Sequence, residues 1–216
     1  MPCALFTSGG KDSTLALDRA IRRGMTVPFL ANIHEGSSGR VRFHGTPVAL
    51  IEAQARALGR EFVGDHTHPD NFETTFRRVL GNLRDRGVDT VIFGNIHLAD
   101  VRAWYEDLTR SFGFEHVEPL WGEPPGLLVR EFVERGYRSV ICSVDMKQGK
   151  REWLGREFDE PLILEIEAHG ADACGEKGEY HSFAFAGPLF REPLPVRPGR
   201  RVEMEGHALV EIELPG

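Results

Sequence analysis

The segment Thr7-Ser8-Gly9-Gly10-Lys11-Asp12-Ser13 decides the fold. Residues 3–7 read as a buried strand, and Leu17, Ala20, Ile21 and Gly24 then recur at helical spacing. The segment is therefore a strand-to-helix turn. Its two glycines let the backbone turn tightly and bring N–H groups close to an anion. The helix N-terminus adds partial positive charge. Ser8 and Ser13 offer hydroxyls and Lys11 a full positive charge. Asp12 is a poor choice for an anion alone, but it fits a Mg²⁺ that is itself bound to phosphates. The pattern is not a Walker loop, which needs glycine where Leu5 stands. The glycines alone fit a plain turn with an Asp or Ser helix cap equally well. The whole string after an N-terminal strand favours phosphate.

Outward from the loop, strands and helices alternate. Residues 27–33 are a second apolar run. Val48, Ile51, Ala55 and Leu58 mark a helix with Thr46-Pro47 as cap and first-turn proline. Residues 61–63 form a short strand, Phe72, Phe76, Val79 and Leu83 a helix, and residues 90–94 a strong strand. Val101, Trp104, Tyr105, Leu108 and Phe112 follow as a helix and residues 116–120 as a weaker strand. The pattern predicts an α/β fold: a Rossmann-like parallel five-stranded sheet, order 3-2-1-4-5, with helices on both faces. After about Trp121 a smaller C-terminal α/β lobe begins, giving domains 1–121 and 122–216. In it, Leu128, Phe132 and Val133 read as a helix, residues 139–144 and 183–185 as strands, and residues 202–214 as an edge strand or hairpin.

The bulk numbers narrow the function. In 216 residues a sizeable core can form without staples, and the net charge of −7 argues against nonspecific nucleic-acid binding. Cys3, Cys142 and Cys174 are scattered, with no metal or redox spacing. An odd, sparse cysteine count, no signal-peptide pattern and no apolar run of membrane-spanning length point to a reducing cytoplasm. Oligomeric state is left open, a homodimer included.

A second unusual string is Cys174-Gly175-Glu176-Lys177-Gly178-Glu179-Tyr180-His181-Ser182. Its glycines let the backbone pass close to a ligand, and Glu176 and Glu179 suit a cationic group or a second metal. Taken alone it reads more readily as a charged surface turn.

Together these strings resemble a known family. Ser8-Gly9-Gly10-Lys11-Asp12-Ser13 resembles the pyrophosphatase loop of the N-type ATP pyrophosphatases, in the adenine nucleotide alpha hydrolase superfamily. The 174–182 string resembles the Gly-Glu-x-Gly-Glu-Tyr/Phe motif of the diphthine–ammonia ligase family. Phe93-Gly94-Asn95-Ile96 through Arg102, Pro119-Leu120-Trp121 and Gly155-Arg156-Glu157-Phe158-Asp159 resemble the same family, so the likeness runs to about Phe190. Asn95 stands where that family often has Asp, and Ser182 where it often has Thr.

The resemblance implies ATP and Mg²⁺ as cofactors. The nucleotide would be held by Ser8, Gly9, Gly10, Lys11, Asp12 and Ser13, with adenine near Asn32, Ile33 and His34 and the crevice bordered by Gly94 and Asn95. Lys11, Asp12 and Ser13 would be catalytic, and Asp12 would hold the metal. It further implies an AMP-forming ligase that adenylates a carboxylate, releases pyrophosphate and amidates the acyl group with free or partner-supplied ammonia. The acceptor would be diphthine on elongation factor 2. Its trimethylammonium suits aromatic faces and carboxylates, making Trp121, Tyr180, His181, Glu176 and Glu179 the acceptor set, with Trp104 as a further aromatic. Ligand sites at the carboxyl ends of strands, where strand order reverses, agree with this placement.

Two other readings stay open: a tRNA-modifying ATP pyrophosphatase, for which Cys174 would carry sulfur chemistry, and an adenine-nucleotide sensor without chemistry. The scarce lysines suggest that Lys147 and Lys150, in Asp145-Met146-Lys147-Gln148-Gly149-Lys150, also face the crevice. His66 and His68 read as a solvated loop.

Overall fold

Strand β1 (Pro2–Phe6) lies at the centre of the first sheet, and its side chains divide two cores. Cys3 and Leu5 pack with residues of α1 (Lys11–Arg22) and α2 (Val48–Ala57), while Ala4 packs with α3 (Phe72–Asp85) and α4 (Ala99–Ser111). A strand buried on both faces reads as a continuous apolar run, as residues 3–6 do. The computed structural model describes residues 1–41, 44–204 and 206–215.

Around β1 the sheet adds β2 (Thr26–Glu35), β3 (Glu61–Thr67), β4 (Thr90–Ile92) and β5 (Glu115–Val117) in the order β3-β2-β1-β4-β5. All four pairings are parallel. The predicted order and helical layers are those found. One local expectation fails: Pro47, not Thr46, is the N-cap of α2, and no side chain caps that helix. Strand order reverses between β1 and β4, so the loop after β1 opens into the crevice there.

The C-terminal lobe comprises α5 (Pro125–Glu134), β6 (Arg138–Asp145), α6 (Glu160–Ala168), β7 (Tyr180–Ala186), β8 (Arg197–Met204) and β9 (His207–Glu213). Its sheet is antiparallel, β7-β6-β9-β8. The lobes share one apolar core: Leu5, Leu15 and Ile51 cluster with Ile141 and Phe183. Strand β7 also docks on the glycine loop, where the Ala184 amide donates to the Gly9 carbonyl at 2.8 Å. Gln54, buried on α2, bridges the carbonyls of Gly9 and Ala184 through its Nε2 at 2.9 and 2.6 Å. No helix among the described residues is long and apolar enough to cross a membrane.

Candidate active site

The turn between β1 and α1 is held by short polar contacts. Gly9 has a φ of +81°, and a Cβ there would meet Ile51 Cδ1 at 2.5 Å, so only glycine fits. Its amide donates to Thr7 Oγ1 at 2.9 Å. Thr7 Oγ1 in turn lies 3.0 Å from Ser13 Oγ, which donates to the Gly10 carbonyl at 3.0 Å. Gly10 is the N-cap of α1 and supplies no side-chain cap, leaving the helix end available for an anion. Gly94 packs against this turn: a Cβ there would stand 2.9 Å from the Ser13 nitrogen and 3.0 Å from the Asp12 carbonyl carbon.

A cavity of about 450 Å³ lies at this end of the sheet, between the two lobes. It brings together most of the expected site: Ser8, Gly10, Lys11, Asp12 and Ser13 from the loop, Asn32 and Ile33 from β2, and Gly94 and Asn95 after β4. Glu176, Tyr180 and His181 line it from the C-terminal lobe.

Five expected residues stand outside this lining, among them Trp104, which packs on Phe72 and Phe76. Gly9 has both its amide and its carbonyl bound within the protein. His34, half-buried on β2, does not reach the cavity. The Trp121 ring is covered by the Arg102 guanidinium, 4.5 Å from its centroid. Glu179 is buried, and its carboxylate accepts the amides of Asp172 at 2.9 Å and Lys177 at 3.1 Å, which folds the 172–179 loop around it. The lysines of residues 145–150 also lie elsewhere: that segment closes on itself, with Asp145 accepting from the Lys147 amide and from Gln148 Nε2.

Electrostatics differ along the cavity. Lys11 is buried, and its ammonium bonds Asp12 Oδ2 at 2.9 Å and the Cys174 carbonyl. Burial disfavours that charge, but the Asp12 carboxylate leads the groups that offset the penalty and the net shift is upward, keeping the ammonium protonated. Burial raises the Glu176 carboxyl above the usual range, against the amides of Ile96 at 2.8 Å and His97 at 3.4 Å that stabilise its anion. Burial also raises the Cys174 thiol well above its ordinary range, and its Sγ donates to the Pro125 carbonyl, so sulfur chemistry finds no thiolate here.

Sequence reasoning missed two features. His44 lines the cavity with its ring tilted against that of His181, centroids 4.2 Å apart. Burial lowers His44 to about 4 and His181 well below its ordinary value, so both imidazoles are neutral at pH 7. His44 comes from a polar, aperiodic stretch between β2 and α2 that gave no signal. The other feature is an aromatic wall of Phe6, Phe72, Phe76, Phe93 and Tyr105, with Phe6 stacked on Phe93 at 5.0 Å. The helical members of that wall read in sequence only as apolar stripes.

Asp12 fits a metal carried in by a phosphate ligand. Its side chain is 28% exposed in the cavity, beside the helix end. Among the described residues no three His, Cys, Asp or Glu side chains converge on a metal site. A single protein carboxylate, completed by phosphate oxygens and water, is a common way to hold Mg²⁺.

A doubly wound parallel sheet, with a glycine-lysine loop opening into a cavity at its switch point, defines an α/β protein with a ligand crevice at the carboxyl ends of its strands. Sequence comparison gives the family. The N-terminal domain of diphthamide synthase matches residues 1–116 and its C-terminal domain residues 124–214, and the chain belongs to the diphthamide synthase family. It is 25% identical over 221 residues to the diphthine–ammonia ligase of Rattus norvegicus, covering 91% of this chain and 83% of that one. It is 23% identical over 219 residues to the ligase of Homo sapiens, covering 90% and 82%. A solved structure, PH1313 from Pyrococcus horikoshii Ot3, covers 62% of this chain at 20% identity, and this chain spans 40% of its length. With a TM-score of 0.41, that likeness is too distant to define the fold.

Proposed function

We propose that the chain is an AMP-forming amide ligase that activates a carboxylate with ATP and passes the acyl group to ammonia. The observation that carries this reading is one cavity walled by Lys11 and Asp12 on one side and by Glu176, Tyr180 and His181 on the other. Residues 1–121 would hold the nucleotide and residues 122–216 would present the acceptor.

In this reading adenine lies against the aromatic wall. Asn32 fits its amino group: Nδ2 donates to the Thr7 carbonyl at 2.7 Å, leaving a buried Oδ1 with no partner among the described residues. The phosphates meet Ser8, the Gly10 turn and the α1 N-terminus. Lys11 neutralises their charge, and Asp12 would hold the Mg²⁺ that arrives with ATP and supplies further neutralisation. An acceptor carboxylate oxygen bonds the α-phosphorus as the bond to pyrophosphate breaks. The nitrogen lone pair then bonds the acyl carbon, the bond to AMP breaks, and the nitrogen sheds a proton. The neutral imidazoles of His44 and His181 face the cavity and suit that proton. Holding both reactants in line supplies much of the acceleration.

The relatives are named for diphthine and ammonia. Diphthine on elongation factor 2 is accordingly the acceptor proposed here. Its trimethylammonium would meet the carboxylate of Glu176, because the Tyr180 ring is already covered by the Lys11 ammonium, 4.9 Å from its centroid. The test supplies ATP, Mg²⁺ and ammonium with elongation factor 2 bearing diphthine, or lacking it. AMP and pyrophosphate formed only with the modified factor support the proposal. Turnover to ADP, or AMP formation indifferent to the acceptor, opposes it.

A further inference from the structure

We propose that Glu118 is a positioning residue that turns the carbonyl end of Asn95 toward the cavity, where it receives an N–H of the ammonia nucleophile. This rests on the ligase reading above for the identity of the ligand, but not for the position of Asn95.

The observation is a polar cluster behind the cavity wall. Glu118 and His116 are almost fully enclosed, with side chains 1% and 2% exposed. Glu118 Oε1 accepts from Asn95 Nδ2 at 2.7 Å and lies 3.0 Å from His116 Nε2. His116 Nδ1 is 3.1 Å from Thr109 Oγ1. The other oxygen, Oε2, lies 3.4 Å from Arg102 Nε. A carboxylate beside a guanidinium only accepts hydrogen bonds, so the amide end of Asn95 must face it. The carbonyl oxygen is then the free end of a side chain that lines the cavity.

Position decides which ligand that oxygen meets. The preceding Gly94 packs on the backbone of Asp12 and Ser13, so Asn95 stands beside the phosphate turn and not beside Asn32. The following amides of Ile96 and His97 are held by Glu176. Asn95 thus sits where the phosphate side of the cavity meets the C-terminal lobe, the place a nitrogen must occupy to reach an acyl phosphate. Ammonia offers three N–H donors, and the Asn95 carbonyl can accept one of them while the lone pair faces the acyl carbon.

Glu118→Gln reverses the arrangement. Arg102 draws the Gln carbonyl, the Gln amide turns to Asn95, and Asn95 must flip its own amide into the cavity. The variant should raise the KM for ammonium chloride at least about tenfold, the loss expected for a donor set against a donor. The KM for ATP should stay within about twofold. In Glu118→Gln/Asn95→Asp the Gln amide has an acceptor again and the cavity regains an oxygen, so the KM for ammonium should return most of the way. Asn95→Asp alone sets two carboxylates face to face. At least one folded pKa then rises, so this variant should lose Tm relative to wild type as pH rises from 5 to 8, and the double variant should not.

A double variant as impaired toward ammonium as Glu118→Gln would overturn the ammonium assignment. A Tm profile of Asn95→Asp parallel to wild type would overturn the Glu118–Asn95 relationship itself. If wild type forms no AMP with ammonium and acceptor, the ligase reading and the ammonium assignment fall together, while the Tm profiles still decide whether Glu118 sets Asn95.

Discussion

The ammonium of Lys11, on the first turn of α1, donates to the backbone carbonyl of Cys174, 163 residues along the chain. The glycine loop and the 174–182 loop are therefore two sides of one site. The Lys11 amide repeats the link by donating to Ser182 Oγ at 3.3 Å. The residue proposed to neutralise phosphate charge thus also ties the lobes together.

Lys11→Ala separates these roles. Turnover of ATP should fall about 10²–10³-fold, the usual cost of losing one group aimed at developing charge. Adenosine affinity, measured by calorimetry, should change by less than about threefold. The Cys174 carbonyl loses its donor, which costs about 1–3 kcal/mol and lowers Tm by roughly 2–4 °C per kcal/mol in a chain of this size. An equal loss of adenosine affinity and turnover would contradict the assignment of Lys11 to phosphate.

Glu179 tests the loop. Its two oxygens accept two backbone amides, so Glu179→Gln sets a donor against a donor inside a buried site. The variant should lose about 1–3 kcal/mol of stability. Its Tm should fall with or without ATP, and adding acceptor should not restore it. A variant of wild-type Tm with weakened acceptor binding would instead make Glu179 a direct acceptor contact.

Much of the fold was legible because β1, β2 and β4 contain apolar runs, each followed by a helix with an apolar face. The 90–94 run and the 7–13 turn together place β1 and β4 at the centre. The C-terminal sheet was less legible: β6 and β7 read as isolated strands, and nothing in their sequence says that β9 lies between β6 and β8. Cavity-lining residues carried by short strings were legible. Those placed by tertiary packing were not. His44 lies after the backbone pairings His34 to Val41 and Arg40 to Pro47, and Glu118 bonds Asn95 from behind the wall. Trp121 and Glu179 failed in the opposite sense: residue type suits a cation, but Arg102 and two backbone amides already occupy them.

The imidazole pair predicts a pH effect. Burial lowers the His44 pKa from its ordinary value to about 4, so between about pH 4 and 6.5 the unfolded chain binds a proton that the folded chain does not. Stability therefore falls as pH falls through this window and levels off below it, by at most about 1.4 kcal/mol per pH unit for each such group. His181 adds to it in the same direction. His44→Gln should flatten the slope of Tm against pH between 4.5 and 6.5. An unchanged slope would show that His44 titrates normally.

The central claim is that an acceptor oxygen attacks the α-phosphorus of ATP, and isotope transfer tests it most directly. Acceptor labelled with ¹⁸O in its carboxylate is turned over with ATP, Mg²⁺ and ammonium, and the AMP is analysed by mass spectrometry. An acyl-adenylate leaves one labelled oxygen on AMP when the C–O bond to nitrogen's leaving group breaks, so AMP should be heavier by about 2 Da. Unlabelled AMP, or label appearing in phosphate beside ADP, would contradict adenylation.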